Sequence, residues 1–426
     1  MSGPLLGAYD DVVALVDDLW AHPEVGYQET YTSARIHDFL IQYAPGVEVT
    51  SFARTGLRVR LGPGHDRAVA LVAELDALIV PAHPAADPTT GAVHACAHHT
   101  QVGIACAVIA ELMSKPWDLP YDLVAVFVPA EEYIDLDTRR ALRDAGEIAW
   151  FGGKPEAMRL GVFDDVAVAI HTHTMGGGYP TPTVELDCDL AGFAYKHVTF
   201  HGRAAHAAFI PFAGANAASM AVLYQTAIGL GRQQLREDVL ARLNPVVTGA
   251  PMTTNVIPDT ARVSTDVRTV DLSYMAELSA KLDAMAQGAA LALGGSAEID
   301  TEVGYLPFRQ HRPLSQPFRE AFQDGVAGID ALLDDRGGSA AAGDVGDLSV
   351  MIPCIQIGYS GLEGTVHGAD LHLADPMTVL DAVPRFLLEG LRRLGPVLDD
   401  VAGYRRGYDE YEAQVSTLRG TWTERP

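Results

Sequence analysis

The stretch 122-DLVAVFVPAEE-132 is an unbroken apolar run that ends at two adjacent glutamates. A continuous apolar run of this length, rather than an alternating one, is typical of a strand buried on both faces of a parallel or mixed sheet. The stretches 68-AVALVAEL-75 and 165-DVAVAIHTH-173 have the same character, and helical patterns lie between them. The sequence therefore predicts an α/β fold with a mixed sheet between helices.

A different pattern begins at about residue 190. The segment 192-GFAYKHVTFHG-202 alternates with period two, and two helical patterns (213–233 and 271–292) are interleaved with further strands. The order βαββαβ favours a ferredoxin-like α+β layer of four strands and two helices. We therefore predict one α/β domain in two parts, 1–189 and 309–426, interrupted by a small domain at 190–308.

Composition excludes several classes of protein. The chain has 426 residues, a formal net charge of −25 and 48% hydrophobic residues, which is a globular balance that disfavours nucleic acid or an anionic membrane as partner. Four cysteines are too few for a disulfide framework. Acidic residues stand where a signal peptide would be basic, and every apolar run is shorter than the roughly 20 residues of a membrane helix. We expect a soluble, cytoplasmic protein.

Polar residues with metal-binding side chains follow the apolar runs. Ligand sites in open α/β sheets lie beyond the carboxyl ends of the strands. The residues at such positions are Asp76, Cys96, His98, His99, Glu131, Glu132, His171, His173 and, in a loop, His367. Thiolate, imidazole and carboxylate together suit a divalent transition metal such as Zn, whereas an alkaline-earth ion prefers oxygen alone.

The pair Glu131–Glu132 is the most informative of these elements. Two adjacent carboxylates at the end of a buried strand are costly unless a cation offsets their charge. If one binds a metal, the other can take a proton from the bound water and later donate it to a leaving amine. The alternative is a solvated turn or a helix N-terminus, where acids are also favoured.

The segment 94-HACAHHTQ-101 has three histidines and one cysteine within six residues. A Cys-x-His pair in a loop can direct both side chains to one ion, but a polar loop with a buried structural cysteine is the alternative. Asp76 could cap a helix or orient a histidine ligand from behind.

Taken together, these motifs resemble a known family over nearly the whole chain. The matching segments are 73-AELDAL-78, 94-HACAHH-99, 129-PAEE-132, 170-IH-171, 202-GRAAHAA-208, 254-TNVIPDTARVSTDVR-268, 343-GDVGDLS-349 and 365-TVH-367. In order and spacing they resemble the aminoacylase/carboxypeptidase-type metallopeptidases, and within them the amidohydrolase branch of auxin-conjugate, hippurate and aminobenzoyl-glutamate hydrolases.

The resemblance implies a zinc-peptidase-like catalytic domain, an inserted lid domain that dimerises, and one or two divalent ions, Mn or Zn. The metal ligands that it implies are Cys96, His98, Glu132, His171 and His367. Glu131 matches the general base, and His206 matches a histidine that reaches a neighbouring subunit's site and stabilises the oxyanion. Asn255 and Arg268 match positions that hold a substrate carboxylate.

The chain departs from this branch at three positions. Ala97 replaces a glycine, His99 replaces an acid or amide, and Gln101 stands where a histidine is frequent. His99 could add a ligand or a positive charge, while His94 has no assigned role. His173 competes with His171 for one ligand position.

Three functions are compatible with these residues. The first is an amidohydrolase that cleaves an acyl- or aroyl-amino acid bearing a carboxylate. The second is an aminohydrolase that replaces the amino group of an electron-poor aromatic amine, such as a nitroanthranilate, and releases ammonia. The third is a non-catalytic binding protein on the same fold. We rank them in this order, and all three take a small-molecule partner and form a homodimer or higher homo-oligomer.

Overall fold

The computed structural model describes residues 3–250, 253–401 and 403–419. The described residues form a large unit (3–188, 310–337, 347–401 and 403–408) and a small unit (189–250, 253–309, 338–346 and 409–419). Each unit has its own hydrophobic core.

The chain up to residue 188 alternates strands with helices. Its helices are α1 (Tyr9–Ala21), α2 (Thr30–Tyr43), α3 (His98–Met113), α4 (Leu136–Asp144) and α5 (Gly153–Arg159). Its strands are β1 (Val49–Phe52), β2 (Gly56–Leu61), β3 (Ala68–Glu74), β4 (Leu78–Ile79), β5 (Ala92–Val93), β6 (Asp122–Val128), β7 (Val168–Thr174) and β8 (Thr183–Leu186).

The middle of the chain forms the small unit. Its elements are β9 (Asp189–Leu190), β10 (Gly192–His201), β11 (Ala205–His206), α6 (Ala217–Gly231), β12 (Ala241–Gly249), β13 (Val256–Ile257), β14 (Thr260–Thr269), α7 (Leu272–Ala292) and β15 (Ser296–Tyr305).

The remaining elements lie after residue 309. They are α8 (Gln316–Asp324), β16 (Ala331–Asp334), β17 (Gly338–Ser339), α9 (Val345–Met351), β18 (Cys354–Tyr359), β19 (Leu362–Glu363), β20 (His372–Leu373), α10 (Val383–Arg393), α11 (Gly395–Asp400) and α12 (Tyr408–Arg419). A π-helical turn, Thr378–Ala382, precedes α10.

The large unit is built on an eight-stranded mixed sheet in the order β1-β2-β6-β3-β7-β18-β8-β16. Its four central strands, β6, β3, β7 and β18, are parallel to one another, and every residue of β3 and β6 is buried. Burial on both faces explains why these strands are continuous apolar runs. The predicted α/β fold with a mixed sheet is confirmed, and the carboxyl ends of the four strands meet at one edge.

The small unit is an antiparallel sheet in the order β12-β14-β10-β15, against which α6 and α7 pack. Buried residues alternate along β14 because only one face of this sheet meets the helices. The strand order and the two helices confirm the predicted ferredoxin-like layer.

The start of helix α3 positions two of the candidate site residues. Helix α3 begins at His98, so Cys96 and His98 lie at its N-terminal end. Among the described residues, none of the helices combines the length and apolar character needed to cross a membrane.

Candidate metal centre

Ionisable side chains gather at the edge of the large sheet where its parallel strands end. Three groups of residues place their ligand atoms within 4.8 Å of one another: Cys96–His98–His173, Cys96–Glu132–His367 and Glu74–His98–Glu131. The first two groups share the Cys96 sulfur. Buried Nε2 of His98 and Oε1 of Glu132 lack a hydrogen-bond partner, as expected of atoms that bind an ion. The side chains therefore fit divalent transition-metal ions.

Cys96 lies in a tight turn in front of α3. The next residue, Ala97, is fully buried and adopts a left-handed conformation with φ of 62°. Glycine adopts this conformation without strain, which is a physical reason for the glycine of the family pattern at the position that Ala97 occupies here. Burial, together with the Glu132 carboxylate, raises the pKa of the Cys96 thiol well above its usual value. A cation at this position would stabilise the thiolate, which is the form that binds metals.

Asp76 orients two residues of the cluster from behind. His98 Nδ1 lies 2.8 Å from the Asp76 carbonyl oxygen and 3.2 Å from Oδ1. Asp76 Oδ2 accepts the backbone N–H of Glu132 at 2.9 Å. Because Nδ1 of His98 is used in this way, its Nε2 faces the cluster. The structure brings Asp76 to the place that a residue orienting a histidine ligand would occupy.

Glu132 and His367 form the outer part of the cluster. Glu132 Oε1 lies 3.4 Å from His367 Nε2, and the two side chains are 8% and 55% exposed. Burial opposes ionisation of Glu132, but the nearby His367 outweighs it and lowers the pKa of the carboxyl group. The site is thus accessible from the His367 side, where a substrate could enter.

The structure separates the two histidines of β7. His171 directs Nδ1 to Gln356 Oε1 at 3.0 Å, and its Nε2 lies 3.0 Å from Glu74 Oε1. His173 instead places Nε2 3.4 Å from the Cys96 sulfur, while Nδ1 donates to the Thr174 carbonyl. Burial lowers the pKa of His173 to about 4, so its ring is neutral, as a metal ligand must be. The ligand role given to His171 stays a prediction, and the geometry favours His173.

Glu74 lies in the cluster and Lys154 lies beside it, although the sequence does not predict them as site residues. Glu74 Oε1 lies 2.5 Å from Lys154 Nζ, and the Lys154 side chain is fully buried. Glu74 Oε2 lies 3.1 Å from His98 Nε2 and accepts from Gln101 Nε2 at 2.8 Å. Burial opposes ionisation, but Lys154 and the two histidines lower the pKa of Glu74 well below its usual value. For Glu74, the signal in the sequence is a charged residue next to the end of the apolar run 68–75.

His94 and His99 lie outside the three groups. Their rings are 4.8 Å apart, and His99 is 5.0 Å from the Trp20 ring. Burial lowers the pKa of His94 to about 3 and that of His99 well below its usual value. Burial therefore disfavours a positive charge on His99, and the role of this residue stays a prediction.

Three further predicted residues lie in the small unit. His206 is exposed on β11, and its Nδ1 accepts the backbone N–H groups of Ala208 and Phe209 at 3.2 and 3.1 Å. Nε2 of the neutral ring therefore carries the proton and can donate it. The Asn255 carbonyl accepts the N–H of Ala207, so Asn255 and His206 are neighbours. Their predicted roles remain predictions.

Arg268 is held within the small unit by three contacts. Its Nε donates to Asp266 Oδ2 at 3.0 Å and its Nη1 to the Ala340 carbonyl at 3.2 Å. The guanidinium also lies 5.4 Å from the centre of the Phe193 ring. The Asp266 carboxylate compensates part of the positive charge of Arg268, which is predicted to hold a substrate carboxylate.

Known proteins are similar to this chain in sequence. Residues 189–292 match the peptidase dimerisation domain of the M20 type. The Xaa-Arg dipeptidase of Mus musculus is 27% identical over 418 residues, covering 89% of this chain and 88% of that protein. The N-acetyldiaminopimelate deacetylase of Bacillus pumilus is 24% identical over 336 residues, covering 75% of this chain and 82% of that enzyme.

Solved structures agree with the fold. The YXEP protein of Bacillus subtilis, a dinuclear metal binding peptidase from the M20 family, superposes with a TM-score of 0.71 at 19% identity, over 92% of this chain and 98% of its own. The aminobenzoyl-glutamate utilization protein of Klebsiella pneumoniae gives a TM-score of 0.62 at 19% identity, over 94% and 98%. The resemblance seen in the sequence is confirmed, because this chain is similar over most of its length to hydrolases of the M20 type that act on C–N bonds.

Proposed function

We propose that the chain is an amidohydrolase that splits an acyl- or aroyl-conjugate bearing a carboxylate into an acid and an amine or amino acid. The observation that supports this most strongly is the buried cluster in which Glu131 and Glu132 lie beside Cys96 and His98. One carboxylate of the pair belongs to a group with the cysteine, and the other to a group with Glu74.

The residues that would hold one or two divalent ions, Mn or Zn, are Cys96, His98, Glu132, His367 and His173, with His171 as the alternative to His173. Two groups that share the Cys96 sulfur support two ions. A bound ion polarises the amide carbonyl and lowers the pKa of a water molecule.

Glu131 is the general base in this proposal. Its side chain is 8% exposed, and its Oε2 lies 3.9 Å from His98 Nε2. The carboxylate takes one proton from water, whose oxygen forms the new bond to the carbonyl carbon. When the C–N bond breaks, Glu131 returns this proton to the leaving nitrogen, so that an acid and an amine are released.

The small unit contributes binding and polarisation. By the family resemblance, His206 donates a hydrogen bond to the developing oxyanion of a neighbouring subunit's substrate, and Asn255 and Arg268 hold the substrate carboxylate. The match of residues 189–292 to a dimerisation domain supports a homo-oligomer formed through this unit.

A substrate screen tests this function. Purified protein loaded with Mn²⁺ or Zn²⁺ is incubated with aroyl-amino acids and with amino-substituted benzoates, and free amino acid and ammonia are measured separately. We expect release of amino acid that stops when a chelator removes the metal. Ammonia from an aminobenzoate without any amino acid would instead support the aminohydrolase reaction. Substrate binding without either product would support the binding protein.

Metal analysis tests the proposed ligands. Cys96→Ser replaces a thiolate ligand, and Cys106→Ser is a matched control because Cys106 is equally buried but lies in the hydrophobic core. We expect elemental analysis to show loss of metal from the Cys96 variant alone. Full metal content in Cys96→Ser would contradict the proposed ligand set.

A further inference from the structure

A strained alanine precedes the two glutamates of the site. Ala130 is fully buried and has a φ of 57°, a left-handed conformation that residues with a side chain rarely adopt. Such a conformation persists only where the surrounding structure holds it. Since Ala130 is the residue before Glu131, its backbone angles decide where the Glu131 carboxylate lies.

Glu29 holds the N–H side of Ala130. Its Oε1 accepts the Ala130 N–H at 2.8 Å, and its Oε2 accepts the Thr55 hydroxyl at 2.6 Å. The Glu29 side chain is fully buried in front of α2, far from Ala130 in the sequence. Burial of a carboxyl group costs free energy unless its oxygens are hydrogen-bonded, so both of these hydrogen bonds are needed.

Other groups hold the carbonyl side of Ala130. Its oxygen accepts the Gly153 N–H at 3.2 Å and lies 3.4 Å from Nη1 of the fully buried Arg139. Gly26 packs against the same residue, where a Cβ would come within 2.7 Å of the Ala130 Cα. Both peptide groups that flank Ala130 are thus held in place.

Glu132 has an anchor of its own. Its N–H donates to Asp76 Oδ2 at 2.9 Å, independently of Glu29. The two carboxylates of the pair are therefore held by different contacts, one through Ala130 and one through Asp76.

We propose that Glu29 is a positioning residue, which sets the place of the Glu131 carboxylate by holding Ala130 in its left-handed conformation. The inference rests on the proposed function of Glu131 as the base. Glu29 touches neither substrate nor metal, and its effect on the reaction is exerted through the backbone. Loss of Glu29 should therefore impair proton transfer and leave metal binding intact.

Crystal structures and kinetics of the full-length, metal-loaded Glu29→Ala variant test this proposal. We expect Ala130 to leave the left-handed region and the Glu131 carboxylate to move. With an active substrate, kcat should fall by about 10²-fold, since a displacement of 1 Å has effects of this size. KM and metal content should stay unchanged, because Asp76 still anchors Glu132.

Rescue variants distinguish positioning from general stability. Glu29→Gln retains an acceptor for the Ala130 N–H and should keep near-normal kcat. Glu29→Ala combined with Ala130→Gly should regain part of the lost kcat, because glycine adopts positive φ without strain. The control is Glu156→Ala, which removes another fully buried carboxylate that accepts backbone N–H groups, at Ala149 and Trp150. It should lower Tm and leave kcat unchanged.

A comparison of the wild-type and Glu29→Ala structures tests the positioning role of Glu29 even without a substrate. If Ala130 and Glu131 keep their positions in Glu29→Ala, the proposal is overturned, whatever the activity. An equal loss of kcat in Glu156→Ala, or loss of metal in Glu29→Ala, also overturns it. Should Glu29→Ala not fold, Glu29→Asp replaces it, because the shorter side chain keeps the charge but cannot reach both Ala130 and Thr55. A wild-type protein that turns over no conjugate would contradict the proposed function alone.

Discussion

Most candidate functional residues of the large unit are buried, whereas two of the three in the small unit are exposed. In the large unit Glu74, Asp76 and His98 are 1%, 1% and 0% exposed. In the small unit His206 and Asn255 are exposed. A buried site shifts pKa values and fixes geometry, as metal binding and proton transfer require. An exposed side chain can meet a substrate or another subunit. In our proposal the large unit therefore carries the metal ligands and the general base.

Sheet topology accounts for this difference. The central strands of the large sheet are parallel and all end at one edge, so polar residues after each strand converge under a cover of other elements. In the small unit His206 and Asn255 lie on or beside the two-residue strands β11 and β13, away from the four-stranded sheet. His206 and Asn255 are not among the core residues of the small unit, and both are exposed.

Glu131→Gln, in the buried cluster of the large unit, should have the largest effect on kcat. The amide cannot accept the proton of water, and loss of a general base lowers kcat by about 10²–10⁴-fold. Elemental analysis and Tm should match the wild type, because Glu131 is the base in our proposal and not a ligand. A variant with near-normal kcat would place the base elsewhere.

Lys154→Met tests whether burial of charge is essential to the large unit. The change leaves Glu74 as a buried carboxylate without its cation, and breaking such a pair lowers the free energy of unfolding by about 3–5 kcal/mol. Lys115→Met is the control, since Lys115 is 61% exposed in its pair with Glu111 and its loss should change stability by about 1 kcal/mol or less. Urea unfolding measures both. Equal midpoints for the two variants would show that the buried pair contributes little.

His206→Ala tests the role of an exposed candidate residue of the small unit. Because His206 lies in solvent, Tm should not change, whereas loss of an oxyanion donor lowers kcat by about 10²–10³-fold. His201→Ala, at another exposed histidine of the same unit, should retain full activity. Mixing His206→Ala with Glu131→Gln subunits should restore part of the activity if sites are shared between subunits. Absence of this complementation would confine His206 to its own subunit or to no catalytic role.

The smallest effect is the pH dependence contributed by Glu29. Burial and the Asp76 charge raise the pKa of Glu29 from 4.5 to about 7. The folded state therefore binds a proton more tightly, and this stabilisation is complete below pH 4.5 and is lost as pH rises through 7. Relative to Glu29→Gln, the wild type should lose about 3 kcal/mol of unfolding free energy over this interval. A difference that is constant with pH would rule out the shifted pKa.

The family and the fold were readable from the sequence because they depend on local patterns. Continuous apolar runs in the large unit indicate strands that are buried on both faces of the sheet. Period-two alternation in the small unit indicates strands that are buried on one face only. The motifs 94-HACAHH-99 and 129-PAEE-132 carry reactive side chains within a few residues, so their proximity in space follows from the chain itself.

What depends on contacts between distant segments was decided by the tertiary structure. His171 and His173 point to the same face of β7, since side chains alternate along a strand, and the sequence alone does not distinguish them. Their neighbours do: Glu74 and Gln356 engage His171, whereas Cys96 lies beside His173. The chain by itself thus determined which kinds of ligand it carries, and folding determined which of them meet, because a hydrogen bond or metal contact needs distances of a few ångströms that only packing sets.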